Sequence, residues 1–192
     1  MPVVKHGITE KTPENILFGA GTYYKNLTWS TDEWEGTCIG ATSGGGKISI
    51  TGEYVNIELD GALVKVKGLT VKQGGTATME VNMAELSGDT IKMSTNFKEG
   101  ESDATGYKMY VDKPNIDEGD YLKNFGFVGK TANGKKDIIV IFGSALCTSA
   151  FEVEPKGKEN TVLKLTLEAY AENSGDLDTI PVKIYYPDTV IA

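Results

Sequence analysis

"YVNIELDGALVKVK", residues 54–67, alternates apolar and polar positions on either side of Asp60-Gly61. Successive side chains of a strand point to opposite faces, so such alternation predicts half-buried β-strands. Asp-Gly suits a two-residue type I′ turn, because Gly tolerates positive φ and Asp comes close. Folding about it pairs Leu59 with Ala62, Ile57 with Val64 and Val55 with Val66 on one face. Tyr54 and Lys67, Asn56 and Lys65, and Glu58 and Leu63 fall on the other. Turn register and hydrophobic register agree, which predicts a β-hairpin here.

The same logic extends in both directions. In "LTVKQGGTATMEVNM", 69–83, a three-residue loop Gln73-Gly74-Gly75 with a bulge sets Val71 against Ala77 and Leu69 against Met79. Asn133-Gly134 joins "NFGFVGKTA" to "KKDIIVIF" and pairs Phe127 with Val140 and Phe125 with Phe142. Further strands are expected at 146–153, at 162–170 and in "VKIYYP" near the end. One helix is expected within 85–97, with Ser87 as N-cap, Asp89 in the first turn and Ile91 apolar. The stretches 98–106 and 113–120 read as exposed loops.

Residues 1–35 show little periodicity and read as an irregular N-terminal arm ahead of a single β-domain, 36–192. The arm carries Phe18, Tyr23, Tyr24, Trp29 and Trp34. Five aromatics in one irregular segment point to anchors of an interface. The expected fold is therefore mainly β, an antiparallel β-sandwich or barrel with one short flanking α-helix. Residues 1–30 and 97–120 are expected to be the least ordered parts of an isolated subunit.

The chemistry-bearing residues argue mostly by elimination. "GATSGGGK", 40–47, imitates a phosphate-binding loop, but Ala41 stands where the first glycine belongs and Ile48 where the hydroxyl belongs. "KISIT" then alternates like a strand instead of opening a helix, so a glycine turn between strands is expected. The single His6 cannot support His-based acid–base chemistry or a zinc site with Cys38 and Cys147. Ser43 lacks the glycine two residues earlier that a nucleophile elbow requires. Asp117, Glu118 and Asp120 lack the order of a calcium loop, and form a solvated acidic turn and a candidate inter-subunit contact. No enzyme activity, cofactor or metal is expected. The opening residues lack the apolar core of a signal peptide, and no apolar run is long enough to span a membrane.

The 19 basic residues are all lysine, against 27 acidic ones, for a net charge of -8. An acidic chain without arginine is poorly suited to grip nucleic acid.

The ordered blocks "NILFGAGTYYKN", "GTCIGATSGGGKISI", "VNIELDGALVKVKGLTV", "TATMEVNMAEL", "DYLKNFGFVGK", "VLKLTLEAYAE" and "DLDTIPVKIYYP" resemble the major tail tube proteins of phages and prophages of Gram-positive bacteria. The resemblance covers nearly the whole chain and is weakest over 97–115. It implies a β-sandwich with a flanking helix, forming hexameric rings that stack head-to-tail around a tape-measure protein. Inner sheets of six subunits would join into a barrel lining a lumen, through which DNA passes at infection. Partners would be further copies of the chain, the tape-measure protein, a tail terminator and tail-tip or baseplate proteins. The location would be the virion tail, assembled in the host cytoplasm. If the 54–67 hairpin and strand 76–83 belong to the inner sheet, Glu58, Asp60, Glu80 and Asn82 would face the lumen. Val55, Ile57, Leu59, Ala77, Met79, Val81 and Met83 would then pack the core. The competing reading is a carbohydrate-binding or adhesin-type β-sandwich module.

Overall fold

The structure is a computed structural model that describes residues 7–94, 97–134, 137–155, 157–158 and 160–187. His6 lies outside the described residues. Ten strands carry the fold: β1 (Leu17–Ser30), β2 (Glu33–Cys38), β3 (Thr42–Asn56), β4 (Thr70–Met83), β5 (Phe97–Gly100), β6 (Met109–Asp112), β7 (Leu122–Thr131), β8 (Asp137–Cys147), β9 (Leu163–Ala169) and β10 (Val182–Tyr185). Helices are few: the single turn α1 (Thr12–Asn15), α2 (Gly88–Ser94) and a 3-10 turn at Glu118–Asp120. The protein is thus mainly β, with a large antiparallel sheet and a short flanking helix.

The main sheet runs in the order β2-β1-β7-β8-β9-β4-β3, and β10 also pairs with β8. β8 serves two neighbours along one edge, on either side of Gly143, whose amide donates to the Pro181 carbonyl at 3.0 Å. Residues Ile139–Phe142 pair with β10, and Ala145–Cys147 pair with β9. The two halves of the sheet share one core. Tyr23, Phe125, Phe127, Val140 and Phe142 from β1, β7 and β8 pack against Met79, Val81, Met83, Leu163, Leu165 and Leu167 from β4 and β9. Ile39–Ala41 joins β2 to β3, and β1 comes into contact with β3, so the sheet curls toward closure.

The β7–β8 hairpin has the register expected from Asn133-Gly134, with Phe125 opposite Phe142 and Phe127 opposite Val140. Alternation also predicts β4: Ala77, Met79, Val81 and Met83 are buried, while Thr78, Glu80 and Asn82 face the other way. Helix α2 starts where its cap predicts, with the Thr90 amide donating to Ser87 Oγ at 3.2 Å. β9 falls within the expected 162–170.

Four expectations are corrected. Residues 17–38 are not an irregular arm but two strands of the main sheet, in which Tyr23 and Leu27 are buried. Their glycines and aromatics mask the period because β1 is kinked, with register shifts toward both β7 and β2 and positive φ at Gly19, Gly21 and Asn26. Gly74-Gly75 is not a turn. β4 runs straight through it opposite β3, with a bulge at Gln73 between the pairs Glu53–Gly74 and Tyr54–Lys72. The 146–153 strand is absent beyond Cys147, leaving an isolated bridge of Val153 to Leu163. The hairpin over 54–67 is not paired as expected. The Asp60-Gly61 turn does form, with the Ala62 amide donating to the Leu59 carbonyl at 3.1 Å and Gly61 at φ 89. Its flanks do not pair, because β3 is already committed to β4 through Val55–Val71 and Asn56–Thr70. That ladder sets 57 against 69, whereas the turn would set 57 against 64, five residues away.

Candidate assembly surfaces

β3 and β4 are the longest paired elements, and they outrun the core. Beyond Ile50 and Ala77 their side chains have no opposite sheet to pack on, and the ladder continues as a projecting arm tipped by residues 57–69. The Ile57 amide donates to the Leu69 carbonyl at 2.8 Å and closes the base of the tip. Above it the limbs splay apart around a cavity of about 530 Å³ lined by Ile57, Leu59, Leu63, Val64 and Val66. Leu63 is 99% and Val64 78% exposed. Tyr54, Val55, Ile57, Leu59, Val66 and Val71 are exposed as well, Tyr54 on the face opposite Val55 and Val71. Val55, Ile57 and Leu59 therefore do not pack the core as expected, while Ala77, Met79, Val81 and Met83 do. A monomer rarely leaves so many contiguous apolar side chains in water unless they meet a partner.

The four acidic or amide residues expected on one lining are divided between two places. Glu80 and Asn82 share the polar face of β4, whereas Glu58 and Asp60 sit in the arm tip. The β4 face is a mixed ionic surface and not an acidic one. Lys164 on β9 reaches Glu80 at 3.0 Å, and Lys47 on β3 reaches it at 3.9 Å. The hydrogen bond and charge of Lys164, with Lys47 adding less, hold the Glu80 carboxyl below the usual carboxylate range. Asn82 donates to the Gly45 carbonyl at 3.1 Å. That bond ties β4 to the glycine bulge of β3, where Gly44 and Gly45 have φ 78 and 76. Residues 42–47 therefore belong to an edge strand: the connection between β2 and β3 is Ile39–Ala41, and the glycines form a bulge within β3.

The aromatics of 18–34 have three fates. Tyr23 is a core residue, 1% exposed and stacked with Phe125, so it is not an interface anchor. Tyr24 packs beside Leu27, Ile139 and Ile141 in a second cluster on the outer sheet face. Trp34 joins that cluster, touching Trp29 edge-on at 5.3 Å and Tyr185 of β10 at 4.8 Å. The tip of the β1–β2 hairpin thus folds across the outer face to β10. Trp29 stays 56% exposed, with Ile184, Tyr185 and Tyr186 exposed nearby in sequence on and after β10. Phe18 lies in β1, opposite Lys130.

The acidic turn is built and not loose. Lys113, its side chain 11% exposed, donates to Asp120 Oδ1 at 2.7 Å and Asp117 Oδ2 at 3.1 Å. The Asp117 amide donates to Asp120 Oδ2 at 2.7 Å, completing a capping box. Two of the three acidic side chains are thereby used locally, and Glu118 stays exposed. Nearby, β5 and β6 form a separate two-stranded ladder held by Glu99, which binds Lys92 of α2 at 3.0 Å and Lys108 at 3.2 Å.

Among the described residues of the main sheet, β2, β3 and β10 each pair on one side only, which leaves three edges open. Among the described residues no group of three or more His, Cys, Asp or Glu is placed to hold a metal ion, and no helix is long and apolar enough to cross a membrane. What sequence reasoning missed is the arm as an unpaired projection. Its signal was present in the five-residue conflict between the turn register and the β3–β4 ladder, but that ladder is not visible in one segment alone. A scan against known protein families finds no match for this chain, and a search of curated proteins finds none.

Proposed function

We propose that this chain is a structural subunit of a phage tail tube, forming hexameric rings that stack into a conduit for DNA. Support comes from the ordered sequence blocks that resemble major tail tube proteins, together with a fold of the matching class. The observation that carries the proposal is the β3–β4 arm. It presents Leu63, Val64 and neighbouring apolar side chains to water, next to sheet edges that pair on one side only. A knob on one copy that fits a different surface of the next makes a heterologous contact, which propagates into rings or filaments. The charge of -8, with no arginine, suits a wall that lets DNA slide. In this role the chain contacts copies of itself, the tape-measure protein, the tail terminator and the tail-tip or baseplate proteins. It acts in the virion and needs no cofactor or catalytic residue.

The test is polymerisation. Concentrated or seeded protein should form hollow tubes in negative stain, with a matching rise in light scattering. Replacing residues 58–68 by a short Gly-Ser turn removes the tip above the Ile57–Leu69 bond and leaves the core untouched. That variant should stay folded by circular dichroism and fail to form tubes. A parent chain that remains monomeric at every concentration, with and without an initiator complex, would overturn the proposal.

A further inference from the structure

We propose that the groove between residues 116–123 and 170–174 receives the 62–68 limb of a neighbouring copy's arm. The inference rests on the assembly role above and names its receiving surface. The groove encloses about 570 Å³, within the roughly 300–1,000 Å³ of sites that bury a small ligand or a few side chains.

Its lining has three parts. The rings of Tyr121 and Tyr170 meet edge-on at 5.5 Å and line the groove. Glu118 and Glu172 stand on the rim, and among the described residues neither has an ion-pair partner. Lys123 opposes them, but with Asp117 also present the rim stays acidic even though Lys113 binds Asp117. Ser144 of β8 also lines the groove. It is 4% exposed, and among the described residues its hydroxyl has no hydrogen-bond partner. A buried hydroxyl without a partner is costly, and a backbone group entering the groove would satisfy it.

The arm limb has the complementary chemistry. In "ALVKVKG", 62–68, Lys65 and Lys67 alternate with Val64 and Val66. In the free subunit the Leu69 amide donates to the Val66 carbonyl at 3.2 Å and Gly68 has φ 92, so a turn closes the end of the limb; drawn out into a strand on docking, the limb puts ammonium groups on one side and branched apolar groups on the other. Neither lysine has an ion-pair partner among the described residues, and Leu63 is uncovered. The lysines match Glu118 and Glu172, the valines match the tyrosine rings, and a limb carbonyl accepts from Ser144 Oγ. An extended segment laid in such a groove adds both main-chain and side-chain specificity.

Two experiments separate this inference from the assembly role. First, a synthetic peptide of residues 61–69 is titrated into isotope-labelled full-length chain at a concentration where it is monomeric. Amide shifts should centre on Tyr121, Ser144 and Tyr170, and a scrambled peptide should give none. Glu118→Lys with Glu172→Lys should weaken binding at least tenfold, and Ser144→Ala by about three- to tenfold, as expected for one hydrogen bond. Second, Lys65→Glu with Lys67→Glu should block tube formation, and adding Glu118→Lys with Glu172→Lys to the same chain should restore it. If tubes form but millimolar peptide leaves the groove unshifted and the arm reversals polymerise like the parent, the groove is wrong and the assembly role stands. If the peptide binds as described and the parent never polymerises, the groove stands and the assembly role falls.

Discussion

Gly46 lies at the bulge of β3 and Gly61 in the Asp60-Gly61 turn, and they answer to different constraints. A Cβ on Gly46 would collide with the Tyr23 hydroxyl and the backbone carbonyl of Glu80, because β1 crosses β3 at that point. A Cβ on Gly61 meets nothing, but φ of 89 strains any other residue. Gly46→Ala should therefore lower stability by about 1–3 kcal/mol, the usual cost of overpacking. Gly61→Val strains a turn whose limbs carry no ladder, so urea unfolding should register less than about 0.5 kcal/mol, as at an ordinary surface site. A large loss at Gly61 would mean that the arm tip is coupled to the core. Glu80 supplies a pH test. Its carboxyl titrates below the unfolded value because Lys164 and Lys47 favour the charged form. The stability it contributes is complete above the unfolded pKa and is lost as pH falls through the lower folded pKa. The difference between the parent and Glu80→Gln should hold at neutral pH and shrink as pH falls below the ordinary carboxylate value of about 4. A difference that persists in acid would assign it to packing and not to charge.

Among elements, β7–β8 and the arm are opposites. β7–β8 has a turn, a register and a hydrophobic face that all agree, and Phe125 and Phe142 meet at its centre fully buried. Phe142→Ala should cost about 3–5 kcal/mol, the sum of lost transfer and an unfilled cavity, read from the shift in denaturation midpoint. The arm has a good turn and a good pattern, but the neighbouring ladder claims its base in another register. Hydrogen exchange should separate the two. Amides of Met79, Val81, Phe142 and Leu165 should exchange only through global opening, and those of 58–68 rapidly. β1 belongs with the slow set, since Tyr23 and Leu27 are buried in it. Protection at 58–68 equal to that of β4 would place a closed hairpin there.

At the scale of the molecule, the residues expected on a common lining sit in two separate places. Glu80→Lys would set three lysines, with Lys47 and Lys164, on one sheet face, whereas Glu58→Lys changes only the arm tip. Both variants should fold, since surface charge changes usually cost little. In the proposed tube, Glu80→Lys should slow DNA passage without blocking assembly, because added cations bind phosphate. Glu58→Lys should alter the concentration at which tubes appear. Ejection rates and light scattering on the two single variants check this, and an assembly defect with Glu80→Lys would place that face between subunits.

Local information sufficed wherever one segment carried both partners of its own structure. The β7–β8 register, the alternating faces of β4, the Ser87 cap of α2 and the mainly β class all follow from periodicity and turn chemistry within short stretches. Tertiary structure decided the rest, where distant segments compete or cover. β4 takes β3 as its partner and overrides the Asp60-Gly61 hairpin, since a ladder anchored by Met79 and Val81 in the core outweighs a solvated turn. β1 is hidden from periodicity by its bulges, and is a strand because β7 supplies its hydrogen bonds. Lys113 orders an acidic turn that composition marks as loose. Ser144 and the two tyrosines meet because β7 sets Lys123 opposite Ser144 and the Tyr170 amide donates to the Ser144 carbonyl, which no pattern within β8 announces: burial and pairing belong to the pair of surfaces, and a single segment contains only one of them.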